Sequence, residues 1–321
     1  MKLKNKLEFN WDVSALTSYV DQTDLDLISK AILDDPTANY VTIDPDIKSA
    51  KDIHTIESDP LGVAAGSAGF SPSGTTDLAK VTLSVDKMKI NQTLDPYVLE
   101  SYYTQLALKA GSIQDAVPFE AAFSEEKAKQ VAKVVAKQIW QGDKTEGSGD
   151  LALANGWITD LAADGARVVG PTGAGNFDAA NIIGSCQAMI AAQNADVLSE
   201  DDLVMFMSPE YYRTLSNALF AANYFHVNAD NTVDGTFVFP ATNVTVVRTY
   251  GLQGSNGHFS TSGADAVVLA SGKYMYWGTD LMSDYSAFKL FYSEDNDEVR
   301  FIVRYKLGAA HLFGLYFVTN F

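Results

Sequence analysis

Residues 118–142 read PFEAAFSEEKAKQVAKVVAKQIWQG, and this stretch decides the fold. Apolar residues recur at Phe119, Phe123, Val131, Val135 and Ile139, with Val134 and Trp140 beside them. That spacing makes one stripe at helical period. Lys127, Lys129, Lys133 and Lys137 fall largely off the stripe, so one side packs and the other is solvated. Pro118 opens the segment and Gly142 closes it. At about 1.5 Å per residue the span from Pro118 to Gln141 is a rod of roughly 36 Å. No catalytic residue type lies on its apolar face. A rod of that length followed by a polar Gly/Ser loop predicts a scaffold element of a flat subunit.

Working outward, Leu203–Met207 followed by SPEYYRTL predicts a strand that enters a helix at Ser208-Pro209. KLFYSEDNDEVRFIVRYKLGAAHLF near the C-terminus predicts paired strands around an acidic turn at Glu294–Asp297. Gly62–Gly74 is rich in Gly, Ala and Ser and cannot build a core. Val81, Leu83 and Val85 after it alternate as in a half-buried strand. A flexible tip feeding a strand fits a projecting β-loop, and equally an ordinary linker.

The long helix with its IWQG end, and these segments in this order, resemble the major capsid proteins of tailed phages, the Johnson capsid fold. The resemblance runs from about Asp52 onward. It implies an α+β subunit with residues 1–52 as an N-terminal arm and 53–94 as an extended loop. Residues 95–150 and 271–306 would form a peripheral domain with the long spine helix. Residues 151–270 and 307–321 would form an axial domain. The implied function is structural: many copies close into an icosahedral shell around double-stranded DNA, with no specific binding of that DNA. Scaffolding, portal and decoration proteins are the implied further partners. The implied location is the virion capsid, assembled in the host cytoplasm. Because the arm starts at Met1, a separate scaffolding protein is expected, or a chain complete without one. Some capsids of this family cross-link a loop lysine to a neighbour's asparagine. Lys80, Lys87 and Lys89 lie near the loop, but no asparagine and glutamate match the rest of that pattern.

Composition is compatible with this. The chain has 321 residues, 47% hydrophobic and 20% charged, which excludes global disorder. No apolar run is long enough for a membrane-spanning helix, and the N-terminal lysines precede no signal-like apolar region. Cys186 is the sole cysteine, so an intrachain disulfide is impossible. The net charge of −17 disfavours general nucleic-acid binding.

Elsewhere the sequence predicts a short helix over Asp24–Leu33 and another opening at Asp95-Pro96 and stopping at Gly111. It predicts a short strand over Ala166–Val169, helices over Asp178–Asn194 and Pro209–Ala222, and late strands that include Val299–Lys306 and Leu312–Val318. Residues 142–156 are polar and Gly-rich, a candidate domain boundary.

Chemical motifs are few. ARVVGPTGAGNFDAAN, residues 166–181, places Gly170, Gly173 and Gly175 between a strand and a helix, as in phosphate cradles. The glycines do not fall at dinucleotide-fingerprint positions, and no Lys-Ser or Lys-Thr pair follows. An enzyme using the loop 170–175 is therefore the alternative from a different class; its bland counterpart is a loop before a helix capped near Asn176 or Asp178. His54, His226, His258 and His311 are far apart and none sits four residues from another, so no metal site is expected. His311 reads as a satisfied core histidine and Cys186 as a small core residue. Ser84-Val-Asp-Lys87 and Ser124-Glu-Glu-Lys127 match a short Ser-x-x-Lys string without its companion motifs. No catalytic, cofactor or metal residue is assigned. A bacterial nanocompartment shell of the same fold, and a viral tail or decoration component, remain as further alternatives.

Overall fold

The computed structural model describes residues 35–45, 47–58, 75–94, 119–170, 177–199, 202–222, 236–254, 265–280, 288–293, 295–296 and 298–321. Its elements are β1 (Thr42–Asp44), β2 (Ala50–Ser58), β3 (Thr76–Ser84), β4 (Asp86–Leu94), α1 (Phe119–Gln141), α2 (Trp157–Ala163), β5 (Val168–Val169), α3 (Ile182–Ala192), α4 (Ala195–Leu198), β6 (Leu203–Met207), α5 (Pro209–Ala221), β7 (Thr236–Val238), β8 (Thr245–Arg248), β9 (Val268–Ser271), β10 (Met275–Thr279), β11 (Phe288–Ser293), β12 (Glu298–His311) and β13 (Val318–Thr319). The helices expected over 24–33 and from 95 to 111, the whole Gly62–Gly74 stretch, Gly173, Gly175, His226, His258, Glu294 and Asp297 lie outside the described residues.

The arrangement is α+β. Six strands form one sheet in the order β5-β13-β9-β6-β8-β7. Its centre is β6, whose sequence LVMFM is apolar at every position and buried at every position. Alternate side chains explain why. Val204 and Phe206 enter one core, while Leu203, Met205 and Met207 enter the other. β9 divides its neighbours the same way, Val268 and Ala270 against Leu269. A strand covered on both faces shows a continuous apolar run rather than alternation. Helices α3 and α5 cover the second face through Ile182, Cys186, Met189, Leu215 and Leu219.

The other sheet is built on β12. Residues 298–303 pair with β11 and residues 299–307 pair with β4, all antiparallel. Those registers overlap, so the two partners occupy opposite edges. From Leu307 to His311 the same strand pairs with β10, which pairs in parallel with β1. Gly308 permits this continuation, because a Cβ there would stand 2.1 Å from the Ser84 carbonyl oxygen. One strand thus runs from the β4–β11 region into the body of the subunit.

The long helix has the expected extent. Val131, Val135, Ile139 and Trp140 are buried against Met88, Phe301, Val303 and Tyr305 of the β12 sheet. Its C-terminal end is fixed by three polar side chains. Trp140 Nε1 donates to Thr37 Oγ1 at 3.3 Å, Gln138 Nε2 donates to the Asp150 carbonyl at 2.9 Å, and Gln141 Nε2 donates to the carbonyls of Gly251 and Gln253. Gly251 is required for that approach: a Cβ would meet Trp140 Cδ1 at 2.1 Å and the Ala136 carbonyl at 2.4 Å.

Several expectations are corrected. Residues 35–44, read as part of an extended arm, are built into the body: Thr37 and Ala38 are buried and β1 joins the β12 sheet. The Asp35 carboxylate accepts from Thr249 Oγ1 at 3.0 Å and from the Thr37 amide at 3.2 Å, an anchor distant in sequence. The helix expected from Asp178 starts at Ile182, because Asp178–Asn181 form a turn first. The strand expected over 312–318 is not formed. β12 runs on to His311, Phe313 then takes a left-handed conformation (φ 54°), and only Val318–Thr319 is extended in a sheet. Helix α2, in the stretch after the polar 142–156 segment, was not anticipated.

Candidate functional site, an assembly surface

The projecting loop is a two-stranded hairpin. β2 and β3 pair antiparallel over nine residues each, from Ala50↔Ser84 to Ser58↔Thr76. Its base packs: Leu83, Val85 and Ile47 are buried with Ala310, and Ile53 and Val81 lean on them; further out on β2, Thr55 is buried as well. Beyond that, Thr76–Lys80 are all exposed. Ile56 and Leu78 face each other across the hairpin with 68% and 78% of their surfaces exposed. Lys80, weighed earlier for cross-linking, pairs with Asp52 at 2.9 Å on the hairpin itself. A hydrogen bond from Thr82 at 2.6 Å, and then the one from Lys80, hold the Asp52 carboxyl below its usual range.

The remaining candidate residues have structural surroundings. Gly170 donates its amide to the Thr319 carbonyl at 2.7 Å, extending the β5–β13 pairing. Helix α3 begins twelve residues beyond Gly170, with no side-chain cap from Asn181. Cys186 is fully buried, and burial pushes its thiol up to about 12. Lys87 lies exposed on β4 and Ser84 on β3, on separate strands of different sheets. Lys127 donates to Gln92 Oε1 at 2.6 Å. His54 is exposed opposite Lys80. Among the described residues no cluster of three His, Cys, Asp or Glu side chains could hold a metal. No described helix is long and apolar enough to cross a membrane.

His311 has more than a single satisfying partner. At the end of β12 its Nδ1 lies 2.6 Å from Asp160 Oδ2 and its Nε2 lies 2.9 Å from Asp164 Oδ2. Asp160 lies in the first turn of α2 and Asp164, one helical turn on, is the C-cap residue at its C-terminal end. Burial alone pushes the imidazolium toward losing its proton, but the bonds and charges of Asp160 and then Asp164 outweigh it and raise the pKa. Only the doubly protonated ring donates to both carboxylates. Arg167 donates from Nη1 to the Leu161 and Ala162 carbonyls at 3.0 and 2.8 Å, closing the same helix end. This cluster clamps α2 to β12. The sequence offered only a histidine in an apolar strand and two aspartates four residues apart.

Among the described residues the chain has two sheets, a long helix buried on one side, and a hairpin on which Ile56, Leu78 and Thr76–Lys80 are exposed. No known family model matches the chain, and no curated protein matches it by sequence. Solved structures do. A chain of the satellite phage P4 procapsid that includes the size determination (Sid) protein aligns over 93% of this chain and 97% of its own, at TM-score 0.54 and 13% identity. A chain of Mycobacterium phage Ogopogo aligns over 88% and 90%, at TM-score 0.59 and 12% identity. A chain of the capsid of an empty GTA particle aligns over 90% and 89%, at TM-score 0.53 and 11% identity. Near-complete coverage in both directions shows that this chain has the fold of these phage and particle capsid chains.

Proposed function

We propose that this chain is the major capsid protein of a tailed bacteriophage, assembling into an icosahedral shell that encloses double-stranded DNA. The observation that carries the reading is the fold shared with capsid chains over nearly the whole length of both. The bare hairpin supports it, since Ile56 and Leu78 gain cover only from outside the subunit. In this reading α1 is the spine helix and β2–β3 the extended loop. Residues 95–150 with 271–306 form the peripheral domain and 151–270 with 307–321 the axial domain. Assembly takes place in the host cytoplasm, with scaffolding, portal and decoration proteins as partners, and the subunit's part is structural rather than catalytic.

Electron microscopy of the purified protein tests it. Closed icosahedral shells are expected; tubes, or a subunit that stays monomeric at high concentration, overturn it. Particles recovered from the native host should contain DNA. Particles filled with protein instead would make this a nanocompartment shell.

A further inference from the structure

The end of α1 and the start of α2 cross at two glycines. A Cβ on Gly142 would stand 2.3 Å from the Ala154 carbonyl oxygen, and one on Gly156 would stand 2.7 Å from both the carbon and the oxygen of the Trp140 carbonyl. No side chain fits at either position, so backbone contact fixes Gly156 as glycine. The residue before it closes the loop between the helices: Asn155 Oδ1 accepts from the Lys144 amide at 3.0 Å. The crossing is thus built on an Asn-Gly pair, the dipeptide most prone to deamidate.

That reaction has a defined course. The Gly156 amide nitrogen loses its proton to base and attacks Asn155 Cγ, ammonia leaves, and a five-membered succinimide forms. Water then opens the ring, to aspartate by attack at Cγ or to isoaspartate by attack at the main-chain carbonyl. Each participating group is held in the structure. The Gly156 N–H donates to the Gly142 carbonyl oxygen at 2.8 Å, and Gly156 is buried although Asn155 is exposed. Thr159 Oγ1 donates to the same carbonyl at 2.7 Å and fixes it in place. For the ring to close, the nitrogen must leave Gly142 and the backbone packed on Trp140 must move. Reaction therefore requires that the crossing open first.

We propose that Asn155–Gly156 is a deamidation site that the α1–α2 crossing holds shut, and that it turns prolonged opening of this crossing into a permanent covalent change. The inference does not depend on the shell reading above. The two products differ in what they do to the fold. Aspartate keeps an oxygen that accepts from the Lys144 amide. Isoaspartate routes the main chain through Cβ and inserts a methylene where the two backbones leave no room for one. A chain that has reacted to isoaspartate cannot rebuild the crossing, so the site separates subunits that stayed closed from those that stood open.

The test compares the full chain in native buffer with the same chain in urea, both at mildly alkaline pH. Peptide mass spectrometry reads deamidation at Asn155, and enzymatic methyl transfer from S-adenosylmethionine reads isoaspartate. Asn256–Gly257, the other Asn-Gly pair of the sequence, confirms that the urea conditions deamidate. Asn155 should react at least tenfold more slowly in buffer than in urea. Thr159→Val removes one bond to the Gly142 carbonyl and should raise the rate in buffer severalfold without changing the rate in urea; circular dichroism confirms that it folds. An Asn256→Gln chain, aged in urea until Asn155 has become isoaspartate and then returned to buffer, should lose the melting transition that the same chain regains after a brief exposure to urea. Equal rates in buffer and urea overturn the proposal, as does an Asn155 that stays intact in urea while Asn256 reacts. A Thr159→Val chain that ages like wild type, or an aged chain that regains its full transition, overturns it too.

Discussion

The helix α1 and the β2–β3 hairpin are both long and both amphipathic, yet they relate to the subunit in opposite ways. The helix buries Val135, Ile139 and Trp140 almost completely and ties its end with Trp140, Gln138 and Gln141. The hairpin buries Leu83 and Thr55 and leaves Ile56 and Leu78 in solvent. The subunit's own stability therefore sits with the helix and the sheets it touches, and the hairpin contributes almost nothing until another surface covers it. An exposed two-stranded ribbon is marginal alone, so its form in the free subunit depends on its base at Ile47, Leu83 and Val85.

The sharpest way to break this contrast is Val135→Asp. Val135 is 1% exposed, and an unpaired carboxylate there costs on the order of 4 kcal/mol. Insoluble protein, or a collapsed urea midpoint, is expected; wild-type solubility would show that the stripe is not buried. Gly251→Leu comes next. Its side chain meets Trp140 and a helix carbonyl that cannot rotate away, at a cost of about 3 kcal/mol measured by chemical denaturation. A neutral result would mean that α1 has room to slide.

The His311 clamp predicts a smaller effect with a defined sign. The folded-state pKa is raised, so the stabilisation is complete below the unfolded value near 6.5 and is lost as pH rises through the folded one. His311→Gln should lower stability at pH 6 by about 1.5 kcal/mol, the scale of a hydrogen bond to a charged group, and the difference from wild type should shrink in alkali. A difference constant from pH 5 to 10 would mean that the ring is not protonated. The smallest effect belongs to the hairpin. Ile56→Ser with Leu78→Ser should leave the free subunit within about 0.5 kcal/mol of wild type while depressing assembly measured by light scattering. A large loss of subunit stability would show that the hairpin folds back onto its own body.

What was legible in the sequence follows the same division between local and distant causes. The α1 helix was legible because its stripe, its lysines and its Pro and Gly borders all lie within one segment. β6 and α5 were legible because LVMFM and Ser208-Pro209 carry their own signals; Ser208 does accept from the Tyr211 amide at 3.3 Å. Helix α2 has seven residues and three buried apolar ones, too few for a period, and is held by Trp157 against Trp140 and by its bond to the Ala310 carbonyl. The three residues of β1 become a strand only because β10 lies beside them. The stretch 312–318 misleads because its apolar residues serve an aromatic cluster of Tyr274, Phe313 and Tyr316 rather than a sheet face.

The central strand β6 has a consequence for how the molecule opens. It is covered on both faces and paired on both edges, with β8 and with β9. No partial fluctuation can expose its amides without separating both cores. In hydrogen–deuterium exchange, Leu203–Met207 should therefore be protected by close to the full free energy of unfolding, while β2 and β3 exchange by local opening far below it. On assembly the order of protection should close up from the hairpin side alone, with β6 unchanged, so that exchange timed during assembly follows shell formation through the part of the chain that began with the least protection.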